Sequence, residues 1–166
     1  MSGALDVSLH TGYLPGCIGR ITEMHARYYA AHAGFGSFFE SRVARELAVF
    51  CERYEENRDG LWLAVLDGQI EAAIAIDGLH ADTEGAHLRW FITSDRLRGS
   101  GSGNRLLSSA LEFCDARGYS RTYLWTFDGL LAARHLYEKH GFRLLREQRG
   151  QQWGREMLEQ RFERQR

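Results

Sequence analysis

Apolar side chains recur at helical spacing from Gly16 to about Ala33, where Ile18, Ile21, Met24 or His25, Tyr28 and Tyr29 fall on one face. A second such stripe, Phe39, Val43, Leu47 and Phe50, predicts a helix from Ser37 to Glu56. The period then shortens. Leu61 to Leu66 is a strand-like apolar run, Asp67-Gly68 is the dipeptide favoured in a tight hairpin turn, and Ile70 to Ile76 reads as the returning strand. After a polar loop around Asp82 to Gly85, Ala86 to Thr93 alternates. This puts Leu88, Trp90 and Ile92 on one predicted face and His87, Arg89 and Phe91 on the other.

A glycine-rich turn leads next into a helix with the stripe Leu106, Leu107, Ala110, Leu111 and Cys114, stopped by Gly118 just past Arg117. Thr122 to Phe127 is an aromatic-rich strand. Asp128 is placed to cap a helix over Leu131 to Lys139 that ends near His140-Gly141. Phe142 to Glu147 and Gln152 to about Phe162 read as two last strands around a turn at Gly150. The predicted order is helix pair, hairpin, strand, helix, strand, helix, hairpin.

Length and composition narrow this to one α/β domain over residues 1–166: 44% of the side chains are hydrophobic and 26% charged, and no repeat or Pro/Ser-rich linker divides the chain. Lys plus Arg (21) nearly balances Asp plus Glu (22), so no overall field draws in nucleic acid or an anionic membrane, and anion binding must be local. Arg161, Arg164 and Arg166 read as a solvated terminus. Cys17, Cys51 and Cys114 are odd in number and lack a CxxC pattern, which speaks against a disulfide framework and a metal site. Residues 1–20, with Gly3, Asp6, His10, Gly12 and Pro15, hold no continuous apolar run, so the expectation is a soluble, cytoplasmic protein without a signal peptide.

Candidate chemistry begins at Arg98-Gly99-Ser100-Gly101-Ser102-Gly103, between a predicted strand and the start of a predicted helix. Free backbone N–H groups converge there at the helix's positive end, a nest suited to a pyrophosphate, and Arg98 can add a charge-assisted contact. No Gly-Lys-Ser/Thr closes the run as in a P-loop, and no strand-borne acid follows at the distance of a dinucleotide fingerprint.

With these motifs the chain resembles the GNAT N-acetyltransferase superfamily. Arg98, Gly101 and Gly103 match its Arg/Gln-x-x-Gly-x-Gly/Ala signature, and Ala133-Arg134-His135-Leu136-Tyr137-Glu138-Lys139-His140-Gly141-Phe142 is similar to its second conserved segment. The Trp125–Gly129 run and Glu159-Gln160-Arg161-Phe162 further resemble acetyltransferase domains fused to MarR-type regulators, with no regulator domain in this chain. The resemblance implies the GNAT acyl-CoA N-acyltransferase fold: a mixed, mostly antiparallel central sheet, splayed at the cofactor site, with helices on both faces. Its parts would be an N-terminal helix pair (about 16–56), a cofactor-binding core (about 61–142) and a C-terminal hairpin (about 142–162).

The implied activity is direct transfer of acetyl from acetyl-CoA to an amine of a small molecule or protein, without a metal; the alternative is a noncatalytic acyl-CoA sensor with the same fold. By resemblance, the amides of Gly99, Ser100, Gly101, Ser102, Gly103 and Asn104 hold the pyrophosphate. Phe91, Ile92 and Thr93 meet the pantetheine arm through their main chain, with Ala133 and Tyr137 facing it. Ser102 and Leu130 depart from residues usual in the family, and Asp128 or Thr126 is available where an Asn is common. Tyr137 is the candidate acid; His87 and Glu84 are the candidate bases, with His87 expected to titrate without a large shift. The acceptor is expected among Tyr28, Arg89 and Trp153, with Tyr29, Phe35, Phe39, Glu40 and Glu156 nearby, Arg89 meeting either an acidic acceptor or Glu84. A homodimer through the last strands is a further implication.

Overall fold

The computed structural model describes residues 5–166; Gly3, cited in the reading of the first twenty positions, lies outside them. Its elements are β1 (Ser8–Thr11), α1 (Cys17–Ala33), α2 (Ser37–Glu52), β2 (Gly60–Leu66), β3 (Gln69–Asp77), β4 (Ala86–Thr93), α3 (Ser102–Ala116), β5 (Arg121–Phe127), α4 (Leu131–Lys139), β6 (Arg143–Gly150) and β7 (Met157–Gln165). The seven strands form one sheet in the order β1-β2-β3-β4-β5-β7-β6. Every pairing is antiparallel except the β4–β5 pair, whose crossover is α3. This is the mixed, helix-flanked α/β architecture expected. Leu106, Leu107, Ala110 and Tyr137 of α3 and α4 pack on one sheet face; Ile21, Phe39, Leu47 and Phe50 of α1 and α2 pack on the other. With both faces covered, β2 and β3 are apolar almost throughout. The Asp67-Gly68 turn has φ of 52° and 75°, the two positive values that a tight two-residue hairpin requires.

The alternation predicted for β4 breaks in the middle. Ala75 faces Arg89 and Ala73 faces Ile92, so Trp90 and Phe91 together oppose Ile74, and Trp90 takes a φ of 49°. Such a bulge adds one residue and turns the side chains after it to the opposite face. Leu88 therefore joins the α3 core, whereas Trp90 and Ile92 join the α1–α2 core; His87 and Arg89 lie on that second side, and Phe91 turns to the first. A second bulge leaves Glu71 of β3 without a partner between Ala64↔Ala72 and Val65↔Ile70.

Other boundaries move for local reasons. The strand β1 has no apolar run and exists by pairing with the edge of β2. Helix α2 stops at Glu52, not Glu56, because the buried Asp59 carboxylate accepts the Glu55 amide at 3.0 Å and folds the following segment into turns. Asp128 caps nothing: its amide continues the β5–β7 pairing to the Leu158 carbonyl at 3.0 Å, and the residue before α4 is Leu130. The last hairpin turns over residues 151–156 instead of at Gly150, since the buried Glu159 carboxylate accepts the Gln152 amide at 3.0 Å and the Gln148 side chain at 3.2 Å.

Phe50 is fully buried between Tyr54 and Trp90. Phe50→Ala should destabilise the protein by about 3–5 kcal/mol in urea unfolding, the cost of lost transfer energy and a cavity that α2 cannot close.

Candidate functional site

The parallel strands β4 and β5 are paired only at Ala86↔Thr122 and His87↔Tyr123. Beyond His87 they part, and the backbone edge of β4 from Leu88 onward has no strand beside it among the described residues. Phe91 and Tyr137 face each other at 6.1 Å between ring centres. The expected splay is present, and the Trp90 bulge lies at its mouth.

At the far end of β4 the chain makes a short turn, with the Leu97 and Arg98 amides on the Ser94 carbonyl at 3.1 and 3.0 Å, then enters α3. Gly99 and Gly101 have φ of 79° and 87°, with open space around both, so backbone conformation calls for glycine there. Gly103 and Asn104 lie in the first turn of α3, where amides have no carbonyl of their own helix to bond. These amides and the positive helix end fit an anion such as a pyrophosphate. The Ser100 and Ser102 hydroxyls are 2.8 Å apart and brace the turn. Arg98 pairs with Asp95, bonds the Thr93 carbonyl at 3.2 Å, and lies 5.3 Å over the Tyr28 ring. His140 Nε2 stands 2.8 Å from the Asn104 side-chain oxygen, tying the start of α3 to the end of α4.

Glu71 anchors this turn from behind. Its backbone carbonyl takes the Ser94 amide at 2.7 Å, and its carboxylate takes the Ser94 hydroxyl and Arg20 of α1 at 3.0 Å. The β3 bulge brings that carboxylate to the loop.

Where β4 and β5 separate, a cavity of about 150 Å³ opens on the α1–α2 side. Tyr29, Phe35, Phe39 and Trp153 form its aromatic wall, and Tyr137 reaches it from α4. The 151–156 turn closes over it: Arg155 bonds the Ala33 carbonyl at 2.6 Å, and Arg42 bonds the Gln152 carbonyl. The polar wall is a chain of charges. Glu46 accepts from Arg42 at 3.1 Å and from Arg89, while Asp77 lies 3.7 Å from Arg89 and is held by two bonds from Arg53, at 3.0 and 2.7 Å. Burial works to raise the Asp77 carboxyl, but hydrogen bonds from Arg53 and the Leu79 amide, with the charges of Arg53 and Arg89, keep it below its usual value. At the cavity, two guanidinium groups share one glutamate.

Of the expected acceptor residues, Arg89 and Trp153 line the cavity, as do Tyr29, Phe35 and Phe39. Tyr28 does not; it stacks on His32 at 4.2 Å and faces the glycine turn through Arg98. Glu40 and Glu156 are exposed and outside it. Arg89 has no contact with Glu84, its place being taken by Glu46 and Asp77. Glu84 instead lies 3.4 Å from the Tyr123 hydroxyl at a second, open cavity with Arg121 and Arg161. His87 lies flat on Tyr123, 4.5 Å between ring centres. The ordinary titration expected of it does not hold: burial, with the Arg89 cation beside it, pushes its pKa down to about 3. Burial also raises the Tyr137 phenol well above its ordinary range. Ala133 packs against the α3-side core beside Tyr137, Phe91, Ile92 and Thr93 follow the unpaired edge of β4, and Asp128 is exposed.

Three titratable residues of the cavity escaped the sequence reading as site residues: His25, Arg42 and Glu46. His25 sits on the apolar stripe of α1, and Arg42 and Glu46 flank that of α2, where nothing local sets them apart. The one available signal was His25 itself, a titratable side chain beside Met24 on the apolar face of α1. It is 6% exposed, bonds the Ile21 carbonyl through Nδ1 at 2.8 Å, and burial pushes its pKa down to about 4.

The acetyltransferase (GNAT) family profile matches residues 21–142. Among curated proteins, the N-acetylaspartate synthetases of Homo sapiens and Rattus norvegicus are 30% and 33% identical over 84% and 70% of this chain. Those stretches cover 46% and 39% of the relatives, so the chain spans less than half their length. Among solved structures, an acetyltransferase from Streptococcus agalactiae superposes with a TM-score of 0.73 at 18% identity, over 98% of this chain and 99% of that one. A GNAT family acetyltransferase from Elizabethkingia anophelis with acetyl-CoA bound gives 0.66 at 14% identity, over 97% and 99%. No helix among the described residues is long and apolar enough to cross a membrane.

His25 and His87 should both stay neutral from pH 8 down to about pH 5 in an NMR imidazole titration. Their folded pKa values of about 4 and about 3 lie below the ordinary ~6.5 of an unfolded chain. The unfolded state therefore binds more protons between those limits. Stability should be intact above pH ~6.5 and fall by roughly 1.4 kcal/mol per pH unit for each group as the pH drops through that window.

Proposed function

The chain belongs to the acetyltransferase (GNAT) family, and from that membership we propose that it moves acetyl from acetyl-CoA to the primary amine of a small acceptor bearing a carboxylate. One observation carries the reading: the gap between β4 and β5 joins the glycine turn at Gly99–Asn104 to a partly enclosed cavity with a polar wall. A ligand with an anionic end, a strand-like arm and a reactive tip would fit along that line. The amides of Gly99, Gly101, Gly103 and Asn104 take the pyrophosphate, those of Ser100 and Ser102 being bonded within the turn, the free β4 edge at Phe91, Ile92 and Thr93 bonds the pantetheine amides, and the thioester reaches the cavity beside Tyr137.

The acceptor then lies among Tyr29, Phe35, Phe39 and Trp153, with its carboxylate toward Arg42 and Arg89. Along that chain of charges Arg42, Arg89 and Arg53 stand against Glu46 and Asp77, which leaves one positive charge and favours an anionic acceptor over a simple alkylamine. The name of the relatives, N-acetylaspartate synthetase, points to an acceptor of this kind. The cavity is small and roofed by the 151–156 turn, which supports a small molecule over a long side chain on a protein.

Chemically, a neutral amine must attack the thioester carbonyl and the sulfur must leave with its charge stabilised. With its pKa raised by burial, the Tyr137 hydroxyl stays protonated at neutral pH and donates a hydrogen bond to the departing sulfur. The β4 backbone beside the bulge polarises the carbonyl.

Thiol release should be seen with acidic amino acids at lower KM than with uncharged alkylamines. Stabilisation by acetyl-CoA with no thiol release for any amine would return the chain to a binding-only role. Gly103→Asp, which puts a carboxylate among the pyrophosphate amides, should weaken acetyl-CoA binding at least about tenfold by calorimetry, as a charge repelled at close range requires. Tyr137→Phe should lower kcat about 10–100-fold with little change in coenzyme affinity, matching the ~1.5–3 kcal/mol of one hydrogen bond to a developing charge.

A further inference from the structure

Acetyl transfer leaves one proton on the attacking nitrogen, and neither base suggested by the sequence is placed to take it. Glu84 opens on the second cavity, beyond Tyr123. His87 does line the acceptor cavity, but its ring is pressed on Tyr123 and stands next to the Arg89 cation, which opposes an imidazolium. Glu46 is shared by two arginines, so its oxygens are already engaged.

We infer that His25 is the catalytic base of this chain, accepting the amine proton at Nε2; the inference rests on the acetyl-transfer reading above. His25 is carried on α1 at the cavity wall and is almost fully buried. Its Nδ1 lies 2.8 Å from the Ile21 carbonyl. A carbonyl only accepts, so Nδ1 carries the hydrogen, and in the neutral ring Nε2 is left as the acceptor. The ring stacks on Tyr29 at 6.2 Å, which holds its plane. A backbone carbonyl and an aromatic neighbour thus set tautomer and orientation, the task that a positioning group performs for a catalytic histidine.

The other titratable and charged groups on this cavity are Tyr29 on its own helix, Arg42 and Glu46 on α2, His87 and Arg89 on β4, and Tyr137 on α4. Burial alone lowers the basicity of His25, while the Ile21 bond raises it, and no cation contributes. The imidazole is therefore neutral and ready across the neutral range. Its conjugate acid, once formed, is a strong one.

The step balances as follows. The amine nitrogen forms a bond to the acetyl carbonyl carbon and becomes an acidic ammonium in the adduct. Its proton passes to Nε2 of His25. The C–S bond breaks, its electron pair stays on sulfur, and the Tyr137 hydroxyl stabilises the thiolate. The imidazolium then gives up its proton, by way of solvent in the cavity, to the thiolate. Free thiol, amide and neutral His25 result.

His25→Gln keeps a hydrogen-bond donor of similar reach but cannot take a proton. With the protein saturated in acetyl-CoA, kcat should fall by about 10²-fold or more, the usual worth of a general base. Affinity for acetyl-CoA should stay within about twofold, and the remaining rate should climb with pH as hydroxide takes over. A kcat within about threefold of wild type and an unchanged pH profile would overturn the inference while leaving acetyl transfer intact. No thiol release from the wild type with any amine would overturn both. Should the variant lose its fold, the ¹⁵N imidazole spectrum of the wild type decides. The inference requires a protonated Nδ1 and a bare Nε2 whose signal moves when an amine acceptor is added, and a proton on Nε2 in the free protein would overturn it.

Discussion

The rest of the site depends on a failure of pairing: β4 and β5 are neighbours for two residues and then separate. A sheet edge inside a core is costly, because backbone N–H and C=O groups away from water need partners. Here the strands are held apart by material that cannot move aside easily. Tyr137 and Phe142 from α4 and its C-terminal end pack with Phe162 from one side, and Tyr29, Phe35 and Phe127 meet edge to face or tilted on the other. The Trp90 bulge completes the separation by turning the end of β4 over. A free edge kept open by large aromatic side chains is a template for a ligand that can bond as a strand does.

Two displaced residues couple this gap to the chemistry at its ends. Trp90 at φ 49° is in a region that a bulky side chain occupies only when its surroundings insist, and Phe50 packs against it while the Arg89 guanidinium lies 4.1 Å from its ring centre. Glu71, extruded by the other bulge, holds the loop before α3 through Ser94. In both cases an extra residue in one strand re-aims a side chain, toward the cavity wall in one case and the glycine turn in the other. The charges from Arg42 through Glu46 and Arg89 to Asp77 and Arg53 continue the same logic. Each ion is bonded to another, which is the condition for keeping charge in a partly buried place.

Much of this was legible in the chain. Gly99, Gly101 and Gly103 at the start of an amphipathic helix announce a tight turn with free amides because the requirement is local: positive φ at Gly99 and Gly101 and unbonded amides in the first helical turn. The segment from Ala133 to Phe142 places Tyr137 on a face with Ala133 for the same reason, the fixed period of a helix. By contrast, His25, Arg42 and Glu46 were illegible as site residues, since a position on or beside an apolar stripe looks alike whether it meets a core or a cavity. Alternation in Ala86–Thr93 was read correctly up to Arg89 and wrongly after it, because the bulge arises from pairing with β3, which the residues of β4 do not encode by themselves.

The sequence by itself determined every element but β1, their order and the glycine turn at a helix start, which rest on periodicity and on backbone needs within a few residues, and its two motifs pointed to the family. Only the tertiary structure decided where the sheet splits, that His25 joins His87 at the cavity, that Glu84 belongs to a different opening, and that Tyr28 faces the glycine turn rather than the cavity. These are outcomes of packing among α1, α2, β4 and the final hairpin, segments far apart in the chain. Burial then set the chemistry of the side chains so gathered, because the cost of a charge depends on what surrounds it and not on the residue that carries it.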